Sequence, residues 1–277
     1  AIDLLVERTL LTVSAKAVTV RYGHNPEYSV NYEGFLGTDT AETALEGNLN
    51  FNSKYQIGDN VGSEFVITPY GLTADDYTIV YEESTLQVVP EKLTITADNI
   101  EATYGEAEKE LTYKITEGQN LNDEVRVLLI RDGGNTVGQY EITVFVVPTA
   151  NYIIDTEHGI YTIKEKPITI TAGSDSKVYD GAPLTNDSII SKGLLNGHTI
   201  GDVTVSGSQT DVGISDNIVS EATVQDANGN DVTSNYSVTY TNGNLEVTAK
   251  PITITSESSS KVYDGTPLIN NEAKATG

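Results

Sequence analysis

The chain has 277 residues, and 16 Lys and Arg against 40 Asp and Glu leave a formal net charge of −24. Such a polyanion repels nucleic acid and anionic lipid, which removes both as partners. There is no Cys, so neither a disulfide framework nor a thiol site is available.

Met is also absent, including at position 1, so the chain reads as an excerpt. Any secretion signal or wall anchor is then expected outside it. No apolar run reaches membrane-spanning length; the longest, 125–130 and 142–147, suit buried strands.

Taken in order, residues 1–14 run into a stretch, Arg8 to Lys16, that matches Asn244 to Lys250, the closing strand of a later module. The start therefore reads as the tail of a truncated preceding unit. A first full module is expected over 15–90. Val18 and Val20 lie in its opening strand, Tyr22-Gly23 forms a turn, and residues 28–32 alternate as a strand. One helical signal follows. Asp39 is placed to cap, Glu42 takes the capping-box position, and a helix of about two turns is expected to end at Gly47. Val61-Gly62 leads into a strand over 65–68, and Asp76-Tyr77 opens a final hairpin reaching Val89.

The second module is expected over 91–166. Leu93 to Thr96 opens it, Tyr104-Gly105 is its turn, strands fall at 111–116, 125–130 and 140–147, and Asn151-Tyr152 starts its last hairpin. The third occupies 167–250. Pro167 starts a strand in which Ile168 and Ile170 alternate with Thr, and a missing N–H costs little at that place. Val178-Tyr179 makes a second short strand, and Asp180-Gly181 carries tight-turn chemistry. Asp211-Val212-Gly213 takes the role of Thr136-Val137-Gly138 and Asn60-Val61-Gly62. Asn235-Tyr236 opens a final hairpin with Asn242-Gly243 as its turn. Residues 251–277 begin a truncated fourth unit whose last residues are expected to be poorly ordered.

Two regularities tie these units together. Residues 166–184 return at 250–268, 84 positions later, with 15 of 19 residues the same. Self-similarity at a fixed period means tandem modules. The step from the Asn/Asp-Tyr tyrosine to the next opening apolar residue is 16 each time: 77 to 93, 152 to 168, 236 to 252. Each junction passes from strand to strand within about four residues and holds no Gly/Ser linker. The expectation is a mostly-β chain of small modules set end to end as an elongated, monomeric rod with at most short helices, a stalk stabilised between nearest neighbours.

The residues also carry a resemblance. Tyr179-Asp180-Gly181 and Tyr263-Asp264-Gly265, each preceded by Ser-Lys-Val and followed by x-Pro-Leu, resemble the YDG-type repeats of bacterial surface adhesins. The modules with Tyr22-Gly23 and Tyr104-Gly105 are similar to the related MBG repeats of YGX type. The resemblance covers nearly the whole chain. Ala17 stands where an opening Pro belongs, and the second module lacks the helix signal. The resemblance implies large, secreted, often wall-attached proteins with β-grasp-like modules and no catalytic residues to carry over.

Chemistry is sparse. His24, His158 and His198 occupy non-equivalent places and none has zinc spacing or a nucleophile partner. Phosphate-loop, nucleophile-elbow and dinucleotide motifs are absent. Asp226, Asn228, Asn230 and Asp231 resemble half of a calcium loop, but Gly is missing at the sixth place and Ser237 stands at the twelfth. A turn built on Asn228-Gly229 is the simpler reading.

The 16 Tyr against 4 Phe could stack on sugars, yet Tyr22, Tyr104 and Tyr179 recur at equivalent places, as packing residues would. An internal Lys cross-link at Lys166 or Lys250 would need a deprotonated amine at a polar junction. The expectation is a non-catalytic spacer of a bacterial cell-surface adhesin, outside the cell, without cofactor or metal. Host glycans, mucin or matrix would be met through other parts of the protein. The alternative is that the modules bind host glycans or mucin themselves.

Overall fold

The feature repeated most faithfully is a first strand with every second residue apolar, and it lies at the centre of each module. The computed structural model describes residues 7–119, 121 and 125–277. In the first module the elements are β1 (Thr9–Ala15), β2 (Val18–Arg21), β3 (Val30–Glu33), α1 (Ala41–Ala44), β4 (Glu46–Asn52), β5 (Glu64–Thr73), β6 (Tyr77–Glu82) and β7 (Ser84–Val89). The second holds β8 (Glu91–Ala97), β9 (Ile100–Thr103), β10 (Tyr113–Glu117), β11 (Val127–Arg131), β12 (Gly138–Val146), β13 (Tyr152–Glu157) and β14 (Gly159–Lys164). In the third come β15 (Lys166–Ala172), β16 (Asp175–Val178), β17 (Ile189–Lys192), β18 (Thr199–Ile200), β19 (Thr204–Ser206), β20 (Gly213–Ser220), β21 (Val224–Gln225), β22 (Tyr236–Thr241) and β23 (Gly243–Thr248). Beyond it, β24 (Thr253–Ser256) pairs with β25 (Ala273–Thr276).

Every module uses the same plan. One sheet puts the first strand in the middle, antiparallel to the third strand and parallel to the penultimate one: β3-β1-β6, β10-β8-β13 and β17-β15-β22. A second sheet follows the order β2-β7-β5-β4, β11-β12-β14-β9 or β16-β23-β20-β19. The period of two sends one side chain of each pair inward. Leu11 and Val13, Leu93 and Ile95, and Ile168 and Ile170 are buried from the first sheets, and Leu86, Val88, Leu245 and Val247 from the second. Each such side chain contributes about 1.5–3 kcal/mol relative to exposure.

Residues 9–14, expected as the tail of a preceding unit, lie in β1, the middle strand of the first module. Thr9 pairs with Tyr77 as Glu91 pairs with Tyr152 and Lys166 with Tyr236. Val18 and Val20 consequently belong to the second strand. Residues 1–6 of that expected tail lie outside the described residues.

The expected last hairpins are not hairpins. β6 and β7, β13 and β14, and β22 and β23 are joined by a single residue, but the two members of each pair lie in different sheets. The chain turns a corner between layers there. Gly243 allows this by close approach, since an added Cβ would lie 2.6 Å from the Ala172 carbonyl oxygen, and at Gly159 it would lie 2.7 Å from that of Asp98.

The expected two-turn helix is shorter, a single turn over Ala41–Ala44. Thr40 rather than Asp39 is the N-cap residue, and its N–H donates to Thr43 Oγ1 at 2.9 Å. Asp39 instead accepts the Tyr77 hydroxyl, and Gly47 has passed into β4. No helix among the described residues is long and apolar enough to cross a membrane.

The described residues form two compact units, one from residues up to 100, 109–133 and 139–161, the other from 101–108, 134–138 and 162–277. The division falls inside the second module. Each unit therefore contains one whole passage between modules, at 91 in the first and at 165 in the second.

Candidate functional site

The recurrent residues converge at these two passages. Tyr22 continues β2 past its end: its N–H donates to the Val89 carbonyl at 2.9 Å. Tyr104 does the same to Lys164 at 2.8 Å and Tyr179 to Thr248 at 2.9 Å. That bond places each ring at the end of its module, beside the start of the next. The glycine that follows takes a left-handed φ in all three, 82° at Gly23, 81° at Gly105 and 81° at Gly181. An L side chain avoids that conformation, so Gly is required for the turn.

In the first passage the Tyr22 ring meets Tyr152 edge-on, centroids 5.4 Å apart and planes at 82°. In the second, Tyr104 meets Tyr236 at 5.6 Å and 81°. Edge-to-face aromatic pairs contribute about 0.5–1.5 kcal/mol beyond area burial. Beside each pair, the Asn of Asn-Tyr reaches back to the preceding module. Asn151 Oδ1 accepts the Val61 N–H at 2.9 Å, and Asn235 Oδ1 accepts the Val137 N–H at 2.8 Å. Both Asn residues are buried, where an unpaired amide would be costly.

A leucine completes each contact. Tyr152 and Tyr236 are buried, and their hydroxyls accept the N–H of Leu121 at 2.7 Å and of Leu195 at 3.4 Å. This fixes each leucine against the Tyr-Gly turn. A Cβ on Gly23 would lie 2.6 Å from Leu121 Cδ1, and one on Gly105 would collide with both methyls of Leu195. Burial holds the Tyr236 phenol above its ordinary pKa, with the Leu195 N–H opposing. Tyr77 caps Leu36 in the same way at 2.9 Å.

The two passages differ in charge. Glu91 is buried, with Oε2 3.2 Å from His24 Nε2 and 4.0 Å from Arg21 Nη1. The equivalent strand position in the third module is Lys166. At the second passage the imidazole comes from the other side, with His198 Nδ1 2.8 Å from the Tyr236 hydroxyl.

The remaining sequence candidates stand apart from this arrangement. Asp180 closes a local turn: it accepts Lys177 Nζ at 2.7 Å and the Ala182 N–H at 2.9 Å, and Lys177 and then Ala182 hold its pKa below the usual carboxylate range. The copy at Tyr263-Asp264-Gly265 does the same with Lys261 and Thr266, and Asp264 falls to about 2.

Asp226 accepts the Asn228 and Asn230 N–H groups at 2.9 Å, and Asp231 accepts Thr233, so their oxygens are engaged within the loop. Asn230 and Thr233 respectively lower the pKa of each. Gln225 bridges to Asp231 across this turn, with Gly229 at φ 81°. Among the described residues no cluster of His, Cys, Asp or Glu has metal-holding geometry. His158 lies 2.6 Å from Glu141, Lys166 sits in β15, and Lys250 is exposed.

The sequence had marked the Val-Gly and Asn-Tyr pairs as recurrent without showing that they meet across module boundaries. Leu121, Leu195 and Glu91 were missed, because each acts through a partner distant in the chain.

A module plan repeated three times in series, with the same residues at each described passage, defines a tandem β-repeat protein. The MBG domain (YGX type) matches residues 11–87 and again 93–162, more than half of the chain, and the protein belongs to that family. This is a non-catalytic repeat-domain type. No curated protein matches the chain. Among solved structures, Drosophila N-cadherin EC1-3 is similar over 90% of this chain and 92% of that one, at 10% identity and a TM-score of 0.20.

Proposed function

We propose that this chain is a non-catalytic spacer segment of a bacterial cell-surface adhesin, outside the cell, holding a separate binding region at a distance. The third module is read as the related YDG type from Tyr179-Asp180-Gly181. The observation that carries the proposal is the repetition of one contact set, Tyr–Tyr, Asn–Val N–H and Leu against Gly, at both described passages. A protein that invests the same buried residues at successive boundaries transmits stability between neighbours, as repeat arrays do.

Membership of a repeat family supports the same reading. So does the use of Tyr22, Tyr77, Tyr152, Tyr161 and Tyr236 in buried packing, which withdraws them from sugar stacking. The charge of −24 keeps neighbouring chains apart and soluble. Small-angle scattering tests this. The spacer reading expects the maximum dimension to grow by an equal step for each module copy added. A dimension that fails to grow contradicts it.

A further inference from the structure

The end of the third module carries the same half-contact that the first two modules present, and it is exposed among the described residues. Tyr179 bonds back to Thr248 as Tyr22 does to Val89, and Gly181 repeats the φ of Gly23 and Gly105. Yet Tyr179 is 39% exposed where Tyr22 is 5%. Val212, the counterpart of half-buried Val61 and Val137, is 57% exposed. The space a leucine fills beside Gly23 and Gly105 is open beside Gly181, where an added Cβ would meet no atom within 4 Å. The opposite half is exposed among the described residues at the first module: Leu36, capped by the Tyr77 hydroxyl as Leu121 is by Tyr152, is 58% exposed.

From this we infer that the Tyr179, Gly181 and Val212 face is a docking surface for the Asn-Tyr end of a further module of this type, joined through Lys250. The occupant's Asn accepts the Val212 N–H, its Tyr packs edge-on against Tyr179, and its Leu fills the space beside Gly181. The choice of occupant follows from the two completed passages, where these three partners are supplied together by the next module. The inference rests on the spacer reading only in taking modules as serial neighbours.

The test is a longer chain in which residue 250 is followed by a second copy of 167–250, compared with the natural chain by amide hydrogen exchange. Protection of the Val212 N–H is expected to rise at least tenfold. Asn235→Ala in the added copy is expected to return Val212 to its natural rate while the strand amides of that copy stay protected. A folded added copy that leaves Val212 exchange unchanged overturns the inference. An added copy that stays unfolded also overturns it, because the same sequence folds behind Tyr104. Protection of Val212 in the natural chain that rises with protein concentration would assign the face to a second molecule instead, against this proposal. The spacer reading fails separately, on the scattering dimension, whatever Val212 does.

Discussion

The passages at residues 91 and 165 share geometry and differ in charge. Both hold an edge-on tyrosine pair, 5.4 and 5.6 Å between centroids, and both bond an Asn to a Val N–H, at 2.9 and 2.8 Å. At one, the strand begins with buried Glu91 facing His24 and Arg21; at the other it begins with half-buried Lys166. Ring, amide and leucine contacts are thus the constant part of the boundary. The charged position adapts to its neighbours.

The largest effect should come from removing the shared part. Tyr152→Ala and Tyr236→Ala each delete a buried ring together with the acceptor for a leucine N–H. Each should cost about 3–5 kcal/mol in chemical denaturation. Similar losses support equivalence, whereas a loss under about 1 kcal/mol at either passage would break it.

Next comes the part that differs. Glu91→Lys places an ammonium in a buried site beside Arg21 and His24 and should cost about 3 kcal/mol. Lys166→Glu should stay within about 0.5 kcal/mol. Equal effects would show that the charge is incidental at both.

Glycine substitutions sharpen the comparison further. Gly23→Ala and Gly105→Ala meet both the left-handed φ and a leucine methyl, but Gly181→Ala meets only the φ. The Gly181 change should cost about 1–2 kcal/mol from the backbone alone. The other two should each cost about 1–3 kcal/mol more, from crowding.

The smallest effect is a pH dependence at the Asp264 turn. Its pKa is lowered to about 2, so the turn's contribution is complete above the ordinary carboxylate range and is lost as pH falls through 2. NMR titration of the Asp264 carboxyl should give a midpoint near 2, and Lys261→Ala should move it upward.

Much of the fold was readable because it depends on alternation. Leu93 and Ile95, or Ile168 and Ile170, announce a half-buried strand by themselves. The same property misplaced the first strand: Leu-Thr-Val-Ser-Ala at 11–15 alternates like Leu-Glu-Val-Thr-Ala at 245–249, and alternation does not say whether a strand opens or closes a module. Asn242-Gly243 has hairpin chemistry, but turn propensity is local and does not report that the two strands go to different sheets. The boundary contacts lay further out of reach. Asn151 is 90 residues from Val61 and Asn235 is 98 from Val137, so recurrence flagged the residues while only the fold could pair them.

A double-mutant cycle on Tyr104 and Tyr236, followed by chemical unfolding, addresses the boundary contact most directly. Replacing each tyrosine by Leu, singly and together, should give a coupling of about 0.5–1.5 kcal/mol, with a matching value for Tyr22 and Tyr152. Additive losses at both pairs would mean that the rings merely lie near one another, and the shared boundary would not be a unit of stability.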